Sequence, residues 1–162
     1  MNELSKECKE KIDFWRSKFP KDKARSAILM ALRVVQDENG WLSDESLELV
    51  ADYLNVPKVE VFEVVSFYSM YNRKPVGKHT IAVCNSLSCY LCKCNDLVGH
   101  LEKKLGIKPG ETTKDGMFTL KYAECLAACG GAPAVLVGDD EYHQHMTSEK
   151  LDVLIEKLSG KE

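Results

Sequence analysis

Apolar residues in the first half of the chain return every three or four positions, the spacing that keeps side chains on one face of an α-helix. Leu4, Cys8, Ile12, Trp15 and Phe19 mark a first helix that Pro20 ends. Ala24, Ala27, Ile28, Ala31, Leu32 and Val35 mark a second, with Gly40 as its left-handed stop. Ser43 then stands before Asp44 and Glu45, a capping residue followed by acidic groups where the helix dipole favours them. The helix it opens buries Leu47, Val50, Ala51 and Leu54. Pro57 suits the first position of a fourth, short helix. Its Val59, Val61, Val64 and Val65 are β-branched, but the segment is too apolar on both faces for an exposed edge strand. Helices of this length are marginal alone, so they must pack on one another or on a partner.

After Arg73-Lys74-Pro75-Val76-Gly77, a linker by composition, the period changes. His79 to Val83 reads as a strand running into Cys84. Asn95 to Leu105 reads as a helix stopped by Gly106, with Leu97, Val98, Leu101 and Leu105 inward. Asp115-Gly116 is a turn signal, and Met117 to Tyr122 alternates as a strand leading to Cys125. Ala134 to Val137, Gly138-Asp139-Asp140 and Tyr142 to His145 form a hairpin. Thr147 caps a last helix carrying Leu151, Leu154, Ile155 and Leu158. The expected fold is α+β: a helical bundle over residues 1–74, then a roughly thioredoxin-like α/β domain over 75–162 with the order β-α-β-β-β-α.

Charge excludes one class of function. The 22 basic and 25 acidic residues give a net charge of −3, and neither half is basic, so nucleic acid is not an expected partner. No window approaches the ~18 apolar residues that insertion into a membrane needs. The first residues mix both charge signs at helical spacing, unlike a secretory signal or a transit peptide, so the expected compartment is the one of synthesis.

The chemistry lies in the cysteines. Six of the seven (Cys84, Cys89, Cys92, Cys94, Cys125, Cys129) fall in one stretch, and the odd count without an export signal points to metal or redox chemistry rather than disulfides. Cys8 stands apart, as a small apolar residue on a helix face. Cys84-x4-Cys89 and Cys125-x3-Cys129 each sit at a strand end, where two pairs of thiolates can hold zinc or an iron–sulfur cluster. The four-residue gap of Cys84–Cys89 is at the wide limit for a zinc knuckle, whereas a binuclear cluster can give each pair its own iron. Small residues around the cysteines (Asn85, Ser86, Ser88, Gly130, Gly131) let backbone N–H groups approach the sulfurs, and such bonds tune potential. Cys92 completes a plant-type ferredoxin run, Cys84-x4-Cys89-x2-Cys92, which is the alternative ligand set. Cys94 reads as a semi-buried thiol at a helix start. His143 and His145 share a strand face and read as a solvated hairpin tip. Trp15, Trp41, Phe62, Phe67, Tyr68 and Tyr71 fall at core or helix-end spacing and suit core or subunit-interface packing. Gly130-Gly131 is no dinucleotide fingerprint.

Taken together, the helical N-terminal region, Cys84-x4-Cys89, Thr112-Thr113-Lys114-Asp115-Gly116-Met117-Phe118-Thr119 and Cys125-Leu126-Ala127-Ala128-Cys129 closely resemble the thioredoxin-like [2Fe–2S] subunit of bacterial NADH:quinone oxidoreductase, respiratory complex I. Ala31 to Trp41, Val64-Val65-Ser66-Phe67-Tyr68 and Ala132-Pro133 extend the resemblance over nearly the whole chain. It implies a one-electron carrier holding one [2Fe–2S] cluster on Cys84, Cys89, Cys125 and Cys129. It implies a flavin subunit as partner, which binds FMN and NADH, within the peripheral arm of the complex on the cytoplasmic side of the inner membrane. The equivalent subunit of an NAD-linked formate dehydrogenase or bidirectional hydrogenase, or a structural zinc module, are the rival readings. Two departures stand out: Ala127 where many members have Gly, and the thiol-rich Tyr90-Leu91-Cys92-Lys93-Cys94.

Overall fold

A computed structural model describes residues 3–160, with the Ala24 side chain, expected to face inward, outside the described set. The chain divides into two compact units, Met1–Pro75 and Val76–Glu162.

The first unit is built from α1 (Lys6–Arg16), α2 (Ile28–Asn39), α3 (Asp44–Leu54) and α4 (Lys58–Phe67). Ser5 caps α1 by accepting from the Cys8 N–H, and Cys8 and Ile12 are buried. The helix ends at Arg16, short of Pro20, so Phe19 packs on the core from the turn beyond it. The start of the second helix also differs from its periodicity: Ala24–Ala27 form a single 3-10 turn before α2 begins at Ile28. Gly40 then closes α2 at φ 79°. Ser43 caps α3 as expected, its hydroxyl accepting from the Ser46 N–H at 3.2 Å. Pro57 precedes α4 with an extended ψ of 135°, which places it one residue before the first helical position. The core of this unit gathers Ile12, Ile28, Leu32, Leu47, Leu54 and Val61, all without exposed surface, and each such burial stabilises by about 1.5–3 kcal/mol.

One polar residue joins that core. Gln36 is buried, donates to Met70 O at 3.0 Å and accepts from Asn72 N at 2.6 Å, fixing the chain after α4 against α2. Tyr71 supports the same turn through Oη to Leu29 O, 2.7 Å. Buried polar groups persist where each is bonded in this way.

The second unit holds β1 (His79–Cys84), α5 (Leu87–Leu91), α6 (Cys94–Leu105), β2 (Phe118–Ala123), β3 (Val135–Val137), β4 (Glu141–His143) and α7 (Ser148–Leu158). The sheet order is β2-β1-β3-β4. β1 and β2 run parallel, with Cys84 opposite Ala123; β3 is antiparallel to both β1 and β4. Ile81, Val83, Phe118, Leu120, Val135 and Val137 alternate onto one face and are buried with Leu97 and Leu101 of α6 and Leu151 and Leu154 of α7. α5 is an addition to the expected order. It escapes helical periodicity because it is five residues long and turns Leu87 and Leu91 outward, 74% and 72% exposed. Strand limits differ by a residue or two: β2 begins at Phe118 and β4 ends at His143. Gly77, in the supposed linker, is buried. It donates to Thr119 Oγ1 at 2.6 Å, and a Cβ there would come within 2.7 Å of Phe118 backbone. Only glycine allows that approach.

Candidate iron–sulfur centre

The parallel register decides where the cysteines meet. Cys84 is the last residue of β1, and its neighbour across the ladder, Ala123, is the last of β2, two residues before Cys125. Both cysteine loops therefore leave one end of the sheet from adjacent strands. Two backbone bonds fasten the exit: Asn85 N–H to Ala123 O and Cys84 N–H to Ala134 O, each 3.1 Å.

Cys84 and Cys89 are buried, Cys89 from within α5. As a thiol, Cys84 donates to Glu124 O at 3.0 Å. Burial acts to raise its pKa. The N–H groups of Leu126 and Ser86, the Cys89 thiol and the Ser86 hydroxyl outweigh that and hold it below the ordinary 9.0. Burial carries Cys89 the other way, up to about 11, with the Ala134 N–H opposing and the Cys84 sulfur adding to the rise. Of the two, Cys84 is the thiol that ionises first.

Cys125 and Cys129 are exposed, in the loop whose Glu124 and Leu126 backbone touches Cys84. Ala127 N–H points back to Cys125 Sγ at 3.4 Å, and Ala127 itself is left-handed at φ 54°, the conformation glycine takes without penalty. Cys129 opens a single 3-10 turn, Cys129–Gly131, which is tied down by His145 N–H to Gly131 O at 2.7 Å and Met146 N–H to Pro133 O at 3.1 Å. The Ala132–Pro133 peptide is cis.

The other candidates separate from this set. Cys92 is exposed at the end of α5. Cys94 is fully buried in the core under α6, deeper than the semi-buried position expected, because α6 begins one residue early and turns this first residue inward. Cys8 lies in the helical unit, where burial lifts its thiol to about 11. His143 is half-buried beside Glu141, 3.2 Å away, rather than at a solvated tip; His145 is exposed. Tyr71 is core, whereas Phe67 is 80% exposed and Tyr68 40%.

The candidate donors are all sulfur: Ala127 N–H is directed at Cys125, and the N–H groups of Leu126, Ser86 and Ala134 favour the charged form of Cys84 or Cys89. Thiolates suit iron–sulfur clusters, and N–H donors offset the charge that such a cluster adds. Among the described residues no three His, Cys, Asp or Glu side chains stand close enough together to hold a single metal ion. Two cysteine-bearing loops leave adjacent strand ends. The N–H donors were invisible in the sequence, since backbone direction carries no residue signature; only the small residues around the cysteines hinted at them.

Fold and site together define a small iron–sulfur electron carrier, with the candidate cysteines at one end of a mixed sheet. Residues 12–159 match the thioredoxin-like [2Fe–2S] ferredoxin family, and the chain belongs to it; the group it carries is an iron–sulfur cluster. The chain is 42% identical over 154 residues to an NADH-quinone oxidoreductase subunit of Rhizobium meliloti (strain 1021), covering 95% of this chain and 90% of that one. It is 46% identical over 144 residues to the corresponding NADH-quinone oxidoreductase subunit of Rickettsia felis, covering 88% and 86% respectively. A chain of an NAD+-reducing [NiFe]-hydrogenase, solved in the air-oxidised state, superposes with a TM-score of 0.72 at 22% identity. That match covers 83% of this chain but 23% of the hydrogenase chain, and it bears on the fold alone. No helix among the described residues is long and apolar enough to cross a membrane.

Proposed function

We propose that this chain is the electron-transfer subunit of an NADH:quinone oxidoreductase. In this reading Cys84 and Cys89 hold one iron of a [2Fe–2S] cluster and Cys125 and Cys129 hold the other. The observation that carries it is the strand-end geometry: parallel β1 and β2 deliver both cysteine loops to one end of the sheet. The near full-length likeness to NADH-quinone oxidoreductase subunits supports it. The cluster supplies one-electron redox chemistry. The chain's own residues do the rest. The buried pair anchors the sulfur cage in the core, the N–H groups stabilise negative charge on it, and exposed Cys125 and Cys129 leave one side open for exchange with a partner.

Splitting the two-electron hydride of NADH into single electrons needs a flavin, so FMN and NADH are assigned to a partner flavin subunit in the peripheral arm. In this reading the chain is peripheral on the cytoplasmic side of the inner membrane, held there through the complex. Exposed Val59, Phe62, Phe67 and Tyr68 in and just after α4 suit the helical unit, residues 1–74, to much of that docking.

The test pairs composition with activity. The purified chain should contain two irons and two sulfides per protein and give a [2Fe–2S] EPR signal after dithionite reduction. Alone it should not oxidise NADH; recombined with its flavin subunit it should reduce ferricyanide. NADH turnover by the flavin-free chain at the rate of the pair would sink the assignment.

A further inference from the structure

Between the end of β4 at His143 and the cap of α7 at Thr147, every residue meets the loop that carries Cys129. The Gln144 side chain lies on Gly131, where a Cβ would strike it. His145 N–H donates to Gly131 O at 2.7 Å and Met146 N–H to Pro133 O at 3.1 Å. His145 does this in the left-handed region, at φ 49°, a conformation that persists only where the surroundings hold it. The side chain that grips it comes from α7: Lys150 Nζ donates to His145 O at 2.8 Å. The Lys150 N–H is engaged by the Thr147 cap at 3.3 Å. Lys150 therefore stands in the first turn of its helix, where the dipole disfavours a cation. A local preference overridden in this way points to a role outside the helix.

We propose that Lys150 is a positioning residue for the iron–sulfur cluster: it fixes the segment from Cys129 to Ala134 and so slows the loss of iron from the exposed cysteine pair. The proposal rests on the ligand assignment above. The carbonyl that Lys150 holds and the N–H that Met146 gives to Pro133 are the two ends of one peptide group. A charge-assisted bond at the first end polarises that group and strengthens the bond at the second. One residue beyond Pro133, Ala134 O accepts from Cys84 N–H at 3.1 Å. Residues 129–134 thus run from an exposed cysteine to the backbone of a buried one, and Lys150 pins the middle of that span through residues 145 and 146. With the pin in place, the exposed half of the cage keeps its spacing from the buried half. Without it, the Cys129 turn swings more freely and its iron meets solvent more often.

The experiment follows the visible absorption of oxidised, cluster-loaded full-length chains in excess EDTA without oxygen. Lys150→Met should release iron about three- to tenfold faster than wild type, the scale of one lost hydrogen bond. Lys150→Arg, which keeps a cationic donor, should stay within about twofold of wild type. Lys104→Met is the control for general loosening of α7 and for loss of a lysine charge. It breaks the 2.6 Å ion pair of Lys104 with Asp152, to which residues 144–146 do not contribute, and it should stay within about twofold of wild type. A Lys150→Met rate equal to wild type would overturn the proposal. So would a Lys150→Arg or Lys104→Met chain that released iron as fast as Lys150→Met. Cys129→Ser separates the two levels. If it kept the wild-type spectrum and iron content, the ligand assignment would fail and the role of Lys150 with it. If it lost them while Lys150→Met was silent, only the role of Lys150 would fall.

Discussion

Replacing Ala127 by glycine should make the apoprotein more stable, against the usual direction of an Ala→Gly change. Ala127 is exposed and left-handed at φ 54°. Holding an L residue there costs about 1–2 kcal/mol, because its Cβ crowds the backbone carbonyl. Glycine removes that cost but widens the unfolded ensemble, which takes back about 0.4–1 kcal/mol. The methyl is in solvent, so little burial is lost. The balance is a gain of about 0.5–1 kcal/mol, or about 2–8 °C in melting temperature for a unit of this size. Thermal unfolding followed by circular dichroism on the metal-free protein measures it. Ala128→Gly is the control: at φ −106° and half-buried, it should lose about 0.5–1 kcal/mol. If Ala127→Gly lost as much as Ala128→Gly, the left-handed backbone would not be what sets stability at this loop.

Gly77→Ala should cost about 1–3 kcal/mol in urea unfolding, since its Cβ meets the unyielding Phe118 backbone at 2.7 Å rather than a flexible side chain; a neutral result would show that the approach is looser. Cys8 gives a pH prediction. Its thiol, raised from 9.0 to about 11 chiefly by burial and then by the Glu38 carboxylate, contributes stability that is complete below pH 9.0 and is lost as pH rises through about 11. Cys8→Ala should therefore flatten the alkaline fall in stability over that window, and an unchanged slope would count against it. Among the cysteines, Cys125→Ser should bleach or shift the visible spectrum of the loaded protein while Cys92→Ser leaves it unaltered; the reverse pair of results would install the plant-type ligand set.

The helices were legible where burial is one-sided. Cys8 and Ile12 in α1, and Leu47, Val50, Ala51 and Leu54 in α3, follow the apolar period because one face of each helix is buried. β1 and β2 were readable as apolar strand segments, and so was the placing of both cysteine loops at strand ends. What escaped was set by contacts between distant residues. Gln36 looks like a surface residue until its partners, Met70 and Asn72, come in from 34 and 36 positions away. α5 is too short to show a period and faces solvent with its leucines. Gly77 reads as linker because nothing local reveals the Phe118 backbone lying against it. The spacing of the cysteines indicated which sulfurs to consider, but the donors aimed at them follow from the path of the loops.

The register of β1 on β2 also orders the making of the protein. Cys84 and Cys125 belong to segments 41 positions apart, and they become neighbours only when Cys84 has come to rest opposite Ala123. A parallel pairing of this kind is non-local and forms late in folding. Iron delivered earlier would meet isolated cysteine pairs on a loose chain, with no second pair to complete the cage. On the proposed ligand set, the sheet thus acts as an inspector for assembly: a chain with a slipped or unformed β1–β2 ladder would offer half a site and stay colourless.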